Sequence, residues 1–102
     1  MSRATWPSLV PVGAALQDAT ISAAQEIARP TGLRPDAIVI QCTGQNVRYT
    51  IGGTTPTAAL GFVLYAGGEP LLIDMSGGQT LTVIEVAATA TIEYQWVNYG
   101  GI

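Results

Sequence analysis

The sequence contains no histidine and no lysine. The first absence removes the commonest general base at neutral pH, the second the commonest amine nucleophile. A phosphate-cradling Gly-Lys-Ser/Thr loop is excluded on the same ground. Charge of either sign is scarce, at 11% of residues against about 25% in an average domain. The cations are Arg3, Arg29, Arg34 and Arg48, scattered through a chain of net charge −3, so the sequence holds no basic patch for nucleic acid. The acids Asp18, Glu26, Asp36, Glu69, Asp74, Glu85 and Glu93 are dispersed rather than clustered as metal ligands, and no metal or cofactor is expected. Cys42 is the single cysteine and forms no intrachain disulfide, which fits synthesis in a reducing cytoplasm. No run approaches the roughly 20 apolar residues of a membrane helix. The N-terminus lacks the basic start and apolar stretch of a secretory signal. Neither a membrane nor a nucleic acid is therefore an expected partner.

What is present is short alternation between glycine turns. Ile38, Ile40 and Cys42 alternate with Val39 and Gln41; Val47, Tyr49 and Ile51 alternate with Arg48 and Thr50. A period of two marks half-buried strands, because successive side chains point to opposite faces. Turns fall at Thr43-Gly44-Gln45-Asn46, Gly52-Gly53, Gly67-Gly68 and Gly77-Gly78, on average about every ten residues, the spacing of a sandwich or small barrel. Ala58 to Tyr65 reads as a strand with Phe62 and Leu64 on one face. Leu71 to Asp74 is a short one. Thr80 to Val86 begins with Leu81 and Val83 in phase and slips to Ile84 and Val86, which suggests a β-bulge. Thr91 to Val97 places Ile92, Tyr94 and Trp96 inward. Asp18 to Ala28 fits either a helix or an edge strand through Ala19, Ile21 and Ala23; the all-β surroundings favour strand. The expected core is Ile38, Ile40, Val47, Tyr49, Phe62, Leu64, Ile92, Tyr94 and Trp96.

Residues 1–17 carry Pro7, Pro11 and Gly13, which interrupt helices and central strands. They also carry Trp6, Leu9, Val10 and Val12. This segment reads as an extended arm, folded back on its own core or laid on a neighbouring subunit, with residues 18–102 as the domain. Candidate catalytic groups are few. Cys42 has no histidine to activate it and sits in an apolar phase, so a buried inert thiol is expected. Glu85 and Glu93 lie on adjacent predicted strands, where a solvated face explains them better than a paired-carboxylate site. No catalytic residue is assigned, and an enzyme is not expected. Of the aromatic residues, Tyr65 and Tyr99 are those free to touch a partner.

Several runs carry a resemblance: Ala24-Gln25-Glu26-Ile27 to Pro30-Thr31-Gly32, then Ala37-Ile38-Val39-Ile40-Gln41; Asn46-Val47-Arg48-Tyr49-Thr50; and Gly53-Thr54-Thr55-Pro56-Thr57-Ala58 with Gly61-Phe62-Val63-Leu64. The chain over Ala24 to Val97 resembles small β-rich virion proteins of tailed bacteriophages. The resemblance implies a structural protein of the capsid decoration or cement type, located in the virion. Its implied partner is the major capsid protein or another virion protein, and homo-oligomers are expected. Tail, fibre or head–tail joining components remain open, as does a carbohydrate-binding module. The expected architecture is a single-domain antiparallel β-sandwich, jelly-roll-like, with an N-terminal arm. Partner contacts are assigned to Trp6, Leu9, Val10, Val12, Tyr65 and Tyr99.

Overall fold

Nine strands and no helix make up the described residues, 8–100, of the computed structural model. They are β1 Leu9–Pro11, β2 Leu16–Asp18, β3 Gln25–Glu26, β4 Ala37–Thr43, β5 Val47–Ile51, β6 Phe62–Leu64, β7 Leu71–Asp74, β8 Leu81–Glu85 and β9 Thr91–Tyr99. A five-stranded sheet runs β1-β9-β4-β7, with β2 also paired to β9 beyond β1. A four-stranded sheet runs β3-β8-β5-β6. All strand pairs are antiparallel. The chain is a β-sandwich.

The pairing is nested. β5 pairs with β6, β4 with β7, β3 with β8 and β2 with β9. The chain from β2 to β9 is thus one long hairpin, closed at the β5–β6 connection. Rolling that hairpin adds the β4–β9 and β5–β8 ladders. The antiparallel register gathers connections 19–24, 44–46, 65–70 and 86–90 at one end of the sandwich, here called the upper end. Connections 27–36, 52–61 and 75–80 gather at the lower end.

The inward phase of each sheet builds the core. Ile38, Ile40, Cys42, Ile73, Ile92 and Trp96 come from the first sheet; Val47, Leu64, Leu81 and Val83 come from the second. Each such buried side chain contributes about 1.5–3 kcal/mol relative to exposure. Ile21, Ile27, Met75 and Ala90 extend the core from the connections. Trp96 also donates its indole N–H to the Ala28 carbonyl at 3.0 Å, so its polar atom is satisfied.

Several expectations need correction. Phe62 is 64% exposed, although it shares the inward phase of Leu64. It starts the edge strand β6, opposite Tyr49, whose ring centroid lies 5.6 Å from its own. Tyr49 and Tyr94 are half-buried and pack against the core's margin. Residues 58–61 are not strand. Arg48 holds them as a loop, donating to the Ala58 and Gly61 carbonyls at 3.1 and 2.7 Å. β8 carries no bulge against β5: its register runs one-to-one from Val47↔Glu85 to Ile51↔Leu81. The apparent slip arises because Ile84 lies in the outward phase and Val86 is exposed. In the 18–28 segment the strand is Gln25–Glu26; Ile21 is buried core within a connection, and Ala19 and Ala23 are exposed. Glu85 and Glu93 lie on different sheets and do not form a pair.

Candidate functional site

The outward phase of the first sheet forms a continuous face of largely uncharged side chains. Register places Val39 opposite Gln95 and Gln41 opposite Glu93 on β4 and β9, with Leu72 of β7 and Gln17 of β2 in the same phase. Leu9 and Pro11 complete it at the β1 edge, opposite Tyr99 and Val97. An open groove of about 450 Å³ runs over this face, walled by Leu9, Pro11, Val39, Pro70, Gln95 and Val97. These side chains are apolar or amide, Tyr94 adds a phenol, and among the described residues Glu93 is the only charged group lining it. Its carboxylate accepts hydrogen bonds from Gln41 Nε2 at 2.7 Å and Gln17 Nε2 at 3.3 Å, which fix it across three strands.

The lower part of the face is closed by Tyr99. Its hydroxyl donates to Asp74 Oδ2 at 2.9 Å, reaching from β9 over β4 to β7. Ala37, beneath this tie, is fully buried although its side chain faces outward. Burial pushes the Tyr99 hydroxyl up in pKa, helped by its bond to Asp74 and by the charges of Asp74 and Asp36. Asp74 is held below the usual carboxylate value, first by the Ser76 hydroxyl, then by the Ser76 N–H and the Tyr99 hydroxyl.

The partner-contact residues separate into groups. Leu9 lies in the groove, and Tyr99 adjoins it, already engaged with Asp74 rather than free. Val10 and Val12 take the opposite phase of the β1 edge: Val10 is 49% exposed, and Val12 packs on the core. Tyr65 is 67% exposed but belongs to the upper end, after β6 of the other sheet. Trp6 lies outside the described residues. Leu9 to Pro11 and Leu16 to Asp18 are strands of the first sheet, so the boundary between residues 17 and 18 falls inside β2. The proline argument holds in a narrower form, since Pro11 ends an edge strand. The groove residues Val39, Gln41 and Gln95 were legible as outward phases, but only the strand order shows that they share one face.

Cys42 is a buried free thiol whose Sγ donates to the Leu64 carbonyl at 3.1 Å, and burial raises its pKa. Among the described residues no group of three or more His, Cys, Asp or Glu could hold a metal ion, and no helix could cross a membrane. No protein-family model matches the chain, and no curated protein or solved structure matches it either.

Proposed function

We propose that the protein is a structural virion component that binds and stabilises a capsid shell, as a decoration or cement protein, through the outward face of its first sheet. The observation that carries the reading is the character of that face: a groove of apolar and amide side chains with one carboxylate. Such a surface is suited to a protein partner, since interface cores are depleted in charge. The nested strand pairing supports the same reading. We read the long hairpin rolled into two sheets as jelly-roll-like, an architecture that serves in viral capsids and in lectins. Composition adds that the chain has no lysine to guard its sheet edges, a weakness that incorporation into an assembly removes.

The carbohydrate-binding alternative calls for a flat platform of exposed aromatic rings. The Phe62 ring is tilted 40° to that of Tyr49, and Tyr65 has the opposite strand phase. A protein partner is therefore the better-supported class. The test is co-sedimentation with empty shells assembled from a tailed-phage major capsid protein of the same source as this chain, followed by localisation on the particle by electron microscopy. Stoichiometric binding on the head surface is expected. Binding to tail or fibre particles instead assigns the alternative virion role, and binding to neither overturns the reading.

A further inference from the structure

The lower end of the sandwich holds a second concavity, of about 560 Å³, between connections 27–36 and 75–80. Its wall brings together Arg29, Arg34, Asp36, Ser76, Gly77 and Gly78. Two of the four arginines of an acidic chain therefore converge on one pocket. The geometry points to an oxyanion-binding site here, taking a phosphate or a carboxylate, with Arg29 as its fixed cation and Arg34 as its mobile one. This site is separate from the proposed shell-binding face and does not rest on that reading.

Arg29 is pre-positioned. Its NH2 nitrogen donates to the Met75 and Gln79 carbonyls at 2.9 and 2.7 Å, and its guanidinium carbon lies 5.0 Å from the Trp96 ring centroid. Both bonds use the same nitrogen, and among the described residues Nε and NH1 have no acceptor, which leaves their N–H groups for a ligand. A guanidinium already fixed by stacking and hydrogen bonds loses little further freedom when a ligand arrives. Arg34 is exposed on the rim. Asp36, the one carboxylate in the wall, is turned to the backbone: its Oδ2 accepts from the Tyr99 N–H at 2.9 Å. Ser76 is likewise committed, its hydroxyl and N–H both bonded to Asp74. Gly78, at φ +81°, adds no side chain and faces open space, whereas the Gln79 amide packs against Gly77. The result is a shaped opening with unspent guanidinium donors, the fork that recognises planar or tetrahedral oxyanions.

The test is a titration of the intact protein followed by ¹⁵N-correlated NMR, with inorganic phosphate in one arm and a short glutamate-containing peptide in the other. Sodium chloride at matched ionic strength is the reference. Saturable shifts at Gly77, Gly78 and the Arg29 Nε–H are expected. Tighter binding of phosphate identifies a free oxyanion as the ligand; tighter binding of the peptide identifies a carboxylate on a protein chain. Arg34→Gln should weaken binding by about fivefold or more, with partial recovery in Arg34→Lys, because lysine restores charge without the fork. Shifts no larger than those in chloride, or equal affinity in Arg34→Gln and the parent, would overturn the proposal.

Discussion

Gln41 and Glu93 face each other across β4 and β9, and their side chains are joined on the outward face by a 2.7 Å hydrogen bond. Both residues adjoin Val39 in the groove, and the single carboxylate is held rigidly in an otherwise uncharged surface. A second fixed negative charge there should be poorly tolerated by any partner that fits the first. Val39→Glu places one on the same face, at a half-buried position outside the core. The expected outcome is a folded protein with shell binding weakened by about tenfold or more, equivalent to about 1.4 kcal/mol. Measuring Tm alongside co-sedimentation separates lost binding from lost folding.

Phe62 and Trp96 test the assignment of the core. Trp96 is buried and its ring underlies Arg29. Trp96→Ala should cost about 3–5 kcal/mol by urea denaturation. Phe62 retains most of its surface in water, so Phe62→Ala should cost less than about 1 kcal/mol. Comparable losses in both variants would mean that β6 packs more deeply than its edge position implies.

That contrast shows what was legible in the sequence. Strand alternation identified β4, β5 and most of β9, because a period of two is a local property; β9 continues through Asn98 and Tyr99, which read as a tail in the sequence. The fate of Phe62 is not local. Its phase matches that of Leu64, and only its place at the open start of an edge strand leaves it exposed. The supposed bulge in β8 failed for a related reason: Ile84 is apolar yet lies in the outward phase, so hydrophobicity alone misread the register. The groove depends on strand order, which brings β1, β9 and β4 together from distant parts of the chain.

Gly44 and Gly52 both have positive φ, +85° and +93°, but they differ in space. A Cβ on Gly44 would collide with the Thr89 carbonyl oxygen across the upper end, whereas one on Gly52 meets nothing. Gly52→Ala should therefore show only the conformational penalty, about 1–2 kcal/mol. Gly44→Ala should cost clearly more, because backbone must move to admit the methyl group. Paired thermal melts check the order of the two.

Titration should bound stability on both sides. Asp18 is held below its usual value of 3.8, first by the Thr20 hydroxyl, then by the Thr20 N–H. For a carboxylate so depressed, the contribution is present above the unfolded value and is lost as pH falls through the folded one. Cys42 has the opposite shift: burial raises it from a usual value of 9.0. The unfolded chain then releases its proton first, so stability is full below about 9 and declines as pH rises toward the folded value. Cys42→Ala should flatten part of the alkaline decline, although Tyr49, Tyr94 and Tyr99 are raised as well and should keep some of it. Alkylation of native Cys42 should be slow until denaturant is added, and rapid native labelling would contradict its burial.

Two N-terminal deletions separate an arm from a sheet edge. Removing residues 1–7 leaves every described strand intact, so Tm should not change. If Trp6 anchors the chain to a neighbour, this deletion should nonetheless reduce oligomerisation or shell binding. Removing residues 1–17 takes away β1 and most of β2, both of which pair with β9. It also removes Val12, which packs on the core and donates its N–H to the Trp96 carbonyl at 2.8 Å, and Gln17, which holds Glu93. The long strand β9 would then become an open edge, prone to pair with another chain. A loss of about 2 kcal/mol or more is expected, seen as a fall in Tm of roughly 10 °C. Aggregation should accompany it. A residues 1–17 deletion that melts with the parent and stays monomeric would show that the β1 and β2 ladders add nothing to the fold.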